Sequence, residues 1–330
     1  MNTDLPTLIE AFFTKRLVAQ QGASAHTIAS YRDTFRLLLC FARKRLGKMP
    51  SKLSLGDLDT ALLCAFLSEL ETTRRNTARS RNARLAAIRS FFGFVAFEAP
   101  EHSALAARVR AMPRKRHAQR QVNYLVRPEI KALLAAPDTA HWFGRRDHAL
   151  LLTALQTGLR LSELCALRQK DVMLGEGAHV CCMGKGRKQR ATPLTRPTAK
   201  ILAMWMTEQG GNQEGFVFPN RHGGRLSSDA LQNIVRKHAH EACKHCASLV
   251  PKRVSPHVLR HTAAMELMQA GVDCAMIALW LGHASLKTTQ VYLDANLAMK
   301  EEVLAKTNPV TGKMQRYKPG DRLLNFLSNL

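Results

Sequence analysis

Four short stretches of the sequence hold side chains whose types and spacing suit phosphate chemistry. In the first, Thr157-Gly158-Leu159-Arg160-Leu161-Ser162-Glu163-Leu164, the glycine lets the chain turn sharply and Arg160 stands at the turn with a helix starting behind it. Glu163, three residues on, is spaced to pair with Arg160 and hold its guanidinium. Read alone, Arg160 is equally an ordinary helix-start salt bridge. The second stretch is Gly184-Lys185-Gly186-Arg187-Lys188-Gln189-Arg190. A lysine on such a turn can reach into a groove and donate a proton, although a solvated basic turn is the plainer reading. The third, Ser255-Pro256-His257-Val258-Leu259-Arg260-His261, begins with an N-cap serine and a proline at the first helical position. His257 and Arg260 are three apart, so both leave one face of the helix start and form an anion site there. His261, next to Arg260, reads as structural and pointing elsewhere. The fourth runs from Leu281-Gly282-His283 through Thr288 and Thr289 to Tyr292, where a tyrosine in an apolar helical pattern is by itself most simply core.

Taken together, Arg160, Lys185, His257, Arg260, His283 and Tyr292 are the parts needed to cut a phosphodiester without a metal. A tyrosine oxygen can attack phosphorus. Guanidinium groups neutralise the non-bridging oxygens as charge builds. A lysine or histidine can protonate the departing 5′ oxygen. A tyrosine of ordinary pKa near 10 needs such a cationic site and a base to become a useful nucleophile.

The order and wording of these motifs resemble the tyrosine recombinase (phage integrase) family, in the manner of the bacterial Xer-type enzymes. Thr-Gly-Leu-Arg-x-Ser-Glu-Leu, Gly-Lys-Gly-x-Lys-x-Arg, Ser-Pro-His-x-Leu-Arg-His and Leu-Gly-His-x-x-x-x-Thr-Thr-x-x-Tyr follow one another between about residues 150 and 294. The stretch Asn82 to Phe92 also resembles the end of the family's helical core-binding domain. The resemblance implies that Tyr292 forms a 3′-phosphotyrosyl bond and frees a 5′-hydroxyl. It implies that Arg160 and Arg260 clamp the scissile phosphate and that Glu163 orients Arg160. Lys185 would be the acid to the leaving oxygen, His257 an acid/base on the tyrosine, and His283 a hydrogen-bond partner of a non-bridging oxygen. Bond energy is kept in the phosphotyrosine, so no cofactor, ATP or obligatory metal is implied. Double-stranded DNA carrying a specific site, and a homotetramer holding two such sites, are the implied partners. Sister recombinases are a further option.

The elements that would position these residues are mostly helices. Residues 5 to about 98 read as all helix, with stretches near 28–46, 55–70 and 76–97. The last carries Leu85, Ile88, Phe91, Phe92 and Val95 on one side. Arg74, Arg75, Arg79, Arg81, Arg84 and Arg89 stand here without one acid among them, which favours a phosphate-facing surface over a merely solvated face. Around Pro113, Arg108, Arg110, Arg114, Lys115, Arg116 and Arg120 also lack acids, and this segment reads as an extended, mobile strap. Helices are expected at 127–136, 145–157 and 161–167, then strands at 179–183 and 191–194 flanking the basic tip of Lys185, Arg187 and Lys188. Helices resume at 197–209, 226–246, 257–270, 273–281 and 285–297. The expected class is mainly α with a small antiparallel sheet (α+β). The expected units are a helical core-binding, SAM-like domain at 1–105, a linker at 106–125, a catalytic domain at 126–297 and an arm at 298–330. The arm's Leu323, Leu324, Phe326 and Leu327 offer a surface for docking on a neighbouring subunit.

Composition points the same way. The 330 residues carry 49 Lys and Arg against 25 Asp and Glu, a net charge of +24 that favours a polyanion over a small acidic substrate. Apolar residues at 46% supply a core. The longest apolar run, Phe91 to Phe97, is broken by Gly93, so no membrane span is expected. The N-terminal residues carry no secretion pattern, and the eight cysteines read as reduced thiols, so a cytoplasmic protein, nucleoid-associated when bound to DNA, is expected. His238, His240, Cys243, His245 and Cys246 raise zinc, but crowd onto one helical stretch without a second cysteine pair, so no metal is expected. A type IB topoisomerase shares the catalytic set, and a non-catalytic DNA-binding protein could share the scaffold. The motif wording disfavours the first, and the intact set disfavours the second. A metal-dependent nuclease would need converging acids, and the catalytic stretch offers none.

Overall fold

Short polar side chains start the helices of the N-terminal half. Asp4 accepts from the amide of Thr7 to open α1 (Leu5–Ala11), which widens into a π-helix over Phe12–Gln20. Ser24 caps α2 (Ala25–Leu46), and Gly47 ends it at φ +70°. Asp59 caps α3 (Thr60–Thr72) and Thr77 caps α4 (Ala78–Glu98). A last helix, α5, spans Ser103–Ala111. These relations come from a computed structural model that describes residues 4–116, 122–184, 189–283 and 288–289. The chain forms two compact units, residues 1–120 and 121–330.

The first unit closes around phenylalanines. Phe12, Phe66, Phe91 and Phe92 are fully buried, and the Phe91 ring lies 5.5 Å from Phe12 and 5.1 Å from Phe35. The expected linker at 106–125 begins too early. Helix α5 packs on α4 and buries Ala106 and Val109, and Met112 just beyond it joins the same core. The basic composition of this stretch suggested mobility, but its apolar positions at 106, 109 and 112 decide the packing. Further on, the Asn82 side chain accepts from the Lys115 amide (3.0 Å) and donates to the Lys115 carbonyl (2.8 Å). The strap is therefore tied to the first unit as far as Lys115.

In the second unit, α6 (Arg127–Ala135) and α7 (Trp142–Thr157) lead to the short α8 (Leu161–Ala166). A three-stranded antiparallel sheet follows in the order β1 (Val172–Met173), β2 (His179–Met183), β3 (Gln189–Pro193). The two-residue β1 was not expected from the sequence. In the β2–β3 ladder Val180 faces Thr192 and Cys182 faces Arg190. Then come α9 (Arg196–Glu208), α10 (Ser228–Cys243), α11 (Pro256–Gln269) and α12 (Cys274–Leu281). Helix α11 packs on α7 and buries Leu259, Ala263, Ala264, Met265 and Met268. Of the expected helix at 285–297 only residues 288 and 289 are described, and both are helical. The arm at 298–330 lies outside the described residues.

Inside this unit, one of the residues raised for zinc, His238, is paired with a carboxylate. The buried His238 Nε2 lies 2.8 Å from Asp147 Oδ2, and Asp147 Oδ1 accepts from Arg146 Nε and Nη2 at 2.9 and 2.7 Å. Among the described residues no three His, Cys, Asp or Glu side chains converge as a metal site. No described helix is long and apolar enough to cross a membrane.

Candidate active site

Two left-handed glycines bring the reacting segments together. Gly158 ends α7 at φ +63° and Gly282 ends α12 at φ +64°. A Cβ on Gly158 would lie 2.6 Å from Leu281 Cδ2 and 3.2 Å from Ala263 Cβ, so this turn needs both the conformation and the missing side chain. The carbonyls of the two turns accept from the two arginines. Arg260 Nη1 donates to Gly158 O and its Nη2 to Leu281 O, both at 2.6 Å. Arg160 Nη2 donates to Gly282 O at 2.6 Å, and its Nη1 donates to Glu163 Oε1 at 2.8 Å. Trp280 Nε1 adds a bond to Thr157 O at 3.2 Å, pinning α12 to the end of α7.

The expected pairing of Arg160 with Glu163 is present, and Glu163 does more. Its Oε2 also accepts from the Arg160 amide at 2.7 Å, satisfying an orphan donor at the start of α8. Burial alone would raise its pKa. The bonds from Arg190 and from the Arg160 amide outweigh that and lower it to about 2, so it is ionised.

Ser255 caps α11 by accepting from Val258 N, and Pro256 begins it. His257 and Arg260 line one cleft of about 440 Å³ together with Arg160, Ser162, Ser228 and Gln232. His257 is exposed there and Arg260 is buried. His261 corrects the sequence reading: one turn after His257, its ring meets the His257 ring edge-on at 4.2 Å, so it adjoins the site instead of pointing away. His283 Nδ1 lies 2.8 Å from Thr289 Oγ1. Burial first, then the charges of Arg260, Arg160 and Arg190, lower the pKa of His283 to about 4. Burial and the neighbouring His257 and Arg260 do the same for His261, also to about 4. Both are neutral imidazoles near neutral pH.

Arg190, the last residue of the Gly-Lys-Gly-x-Lys-x-Arg motif, is a site residue that the sequence alone does not single out. It lies on β3 and forks onto Glu163 at 3.0 and 2.7 Å. Its spacing after Lys185 placed it in what read as a solvated turn, whereas its side chain is only 10% exposed. Lys185, Arg187, Lys188 and Tyr292 lie outside the described residues. Of the basic residues in the first unit, Arg74, Arg75 and Arg79 are exposed at the α3–α4 connection and the start of α4. Arg75 adopts φ +50°, the one non-glycine residue with positive φ among the described residues. Arg81 and Arg84 are half-buried, and Arg81 approaches Glu71 at 3.9 Å. Lys115 pairs with the same Glu71 at 3.0 Å, while Arg114 and Arg116 are exposed.

A helical N-terminal unit, followed by a unit that brings Arg160, Arg260 and His257 to one cleft with Glu163 bracing Arg160, fits the class of tyrosine recombinases. Family models agree: residues 123–299 match the phage integrase family and residues 9–98 match its N-terminal SAM-like domain. A Sinorhizobium fredii protein that bears the name integrase/recombinase y4rC is 53% identical over 329 residues, covering 100% of this chain and 99% of its own. Tyrosine recombinase XerC of Pelobacter propionicus is 33% identical over 90% of this chain and 94% of its own. The XerH site-specific recombinase, solved with its palindromic difH substrate after cleavage, shares the fold with TM-score 0.69 and 22% identity, over 87% of this chain and 81% of that one. The chain belongs to the phage integrase family, as a site-specific tyrosine recombinase of the Xer type.

Proposed function

We propose that the enzyme cuts and rejoins DNA through a 3′-phosphotyrosyl intermediate formed by Tyr292. The observation that carries this reading is the pair of arginines, Arg160 and Arg260, held on the two glycine turns beside His257 and His283. In the first step the Tyr292 oxygen attacks phosphorus and passes its proton to His257. The bond from phosphorus to the 5′ oxygen breaks, and that oxygen takes a proton from Lys185. Arg160 and Arg260 stabilise the charge on the non-bridging oxygens, and neutral His283 donates to one of them. Glu163 keeps Arg160 in place. Rejoining reverses these transfers with a 5′-hydroxyl from another strand, so the ester conserves the bond energy.

The partner is double-stranded DNA, gripped by phosphate contacts from Arg74, Arg75, Arg79, Arg81 and Arg84 in the first unit. Arg114, Lys115 and Arg116 at its edge, with Arg187 and Lys188 beside Lys185, would add to the grip. Four copies, or copies with sister recombinases, hold two sites. The biological role we propose is integration, excision or transposition of a mobile element in the cytoplasm. The wording Trp280-Leu281-Gly282-His283 and the long arm at 298–330 lean this way, with resolution of DNA multimers as the other role.

Covalent trapping tests the chemistry. A nicked DNA built from repeats flanking the gene is incubated without added metal and run on a denaturing gel. Wild type is expected to give a shifted protein–DNA band and Tyr292→Phe none. A band that persists in Tyr292→Phe overturns the nucleophile. An excised or inserted product from the flanking repeats supports the mobile-element role, and activity confined to a chromosomal resolution site refutes it.

A further inference from the structure

Glu163 is shared between two arginines from different elements. Arg160 approaches from the start of α8 and Arg190 from β3, each with two hydrogen bonds between 2.7 and 3.0 Å. The carboxylate is nearly sealed, with 5% of its side chain exposed. Arg190 also packs on the second support of Arg160. A Cβ on Gly282 would stand 2.9 Å from Arg190 Nη1, and it is the Gly282 carbonyl that receives Arg160 Nη2. Arg190 thus touches both groups that hold the Arg160 guanidinium. The Nε–H of Arg190 is buried without a hydrogen-bond partner among the described residues.

We infer that Arg190 is a positioning residue: through Glu163 and the Gly282 turn it fixes the Arg160 guanidinium in its phosphate-binding orientation. The inference rests on the proposed role of Arg160 as a phosphate clamp. The physical reason is the cost of a buried carboxylate. With both arginines present Glu163 is ionised and accepts four bonds. Without Arg190, burial favours the protonated acid, which has less accepting capacity and does not hold Arg160. The ionisable groups facing Glu163 are Arg160 from α8, Arg190 from β3 and Cys182 from β2, whose thiol burial pushes up to about 11; Cys181 and Asp171 line a second cleft, distinct from that of His257, beside Glu163 and Cys182. Lysine at 190 keeps the charge but not the two-pronged geometry.

The test measures strand cleavage on the DNA that wild type cuts, with either a phosphate or a methylphosphonate at the scissile position. The methylphosphonate has no non-bridging charge, so a residue that serves to neutralise that charge matters less on it. Arg190→Met is expected to slow cleavage of the phosphate by roughly ten- to a hundredfold. Most of that loss should vanish on the methylphosphonate, as it should for Arg160→Ala. The acid limb of the pH–rate profile moves to higher pH in Arg190→Met and stays in place in Arg190→Lys. Glu163→Gln combined with Arg190→Met costs no more than the worse single change. If Arg190→Met does not fold, Arg190→Lys carries the comparison of substrates. Equal loss on both substrates with Arg160→Ala still rescued, or additive costs in the double variant, overturns the inference. Equal loss on both substrates for Arg160→Ala itself overturns the clamp role and the inference with it.

Discussion

His261 and His283 are bases that the fold keeps uncharged. Each falls from an ordinary 6.5 to about 4, by burial first and by nearby cations second. Between those values the unfolded chain binds more protons than the native one, so stability is complete above pH 6.5 and is lost as pH falls towards 4. Glu163, lowered from 4.5 to about 2, adds stability above pH 4.5 that is lost as pH falls through 2. All three therefore act in the same sense. We expect the thermal midpoint of the protein to drop between pH 6.5 and 4, and less steeply in His261→Gln; scanning calorimetry across that range checks it. An unchanged slope would mean that His261 is not held neutral. At this scale the sequence made the pairing of Arg160 with Glu163 legible, because an acid at the third position of a helix reaches back to the residue that caps it. It did not make Arg190 legible, because the partner of Arg190 is 27 residues away on α8 and only the tertiary fold brings them together. His261 reads as structural beside Arg260 in the chain, whereas one helical turn sets its ring against His257.

The turns that carry the arginines make a comparison of two glycines informative. Gly158 and Gly271 both have positive φ, but only Gly158 has atoms against its missing Cβ. Alanine at either costs about 1–2 kcal/mol for the left-handed conformation. At Gly158 the clash with Leu281 and Ala263 adds about 1–3 kcal/mol. Urea unfolding should therefore rank Gly158→Ala well below Gly271→Ala, and only the former should lose strand cleavage, since Gly158 O receives Arg260. The strap offers a second case. Asn82→Ala removes both bonds to the Lys115 backbone, and trypsin is expected to cut after Arg114 to Arg116 several times faster. Unchanged cutting would mean that Asn82 does not tie the strap down. Long helices were legible from period and caps. Helix α5 was hidden by Arg108 and Arg110, whose charge spoke louder than Ala106, Val109 and Met112. The two-residue β1 and the widened turns of the π-helix leave no periodic mark at all.

At the scale of the whole molecule, the charge of +24 is the most testable property. Binding to duplex DNA should weaken linearly in log affinity against log salt, with a steep slope if many phosphates are engaged; filter binding across a salt series measures it. A flat response would refute the electrostatic grip. Deleting residues 318–330 is expected to impair assembly and strand exchange while leaving single-strand cleavage intact. Unchanged exchange would remove the arm from the mechanism. Two units and a mainly helical fold could be read from length and period, and the division at residue 120 falls inside the expected linker at 106–125; the start of that linker could not be read, because α5 covers it. The clamp has a last consequence, for a chain still leaving the ribosome. Arg160 waits for a carbonyl 122 residues downstream, and Arg260 needs one 102 residues upstream and another 21 residues downstream. Such distant pairings form late in folding. A chain that has not yet reached α12 lacks the Leu281 and Gly282 carbonyls, so neither guanidinium has its full set of partners until that helix is complete.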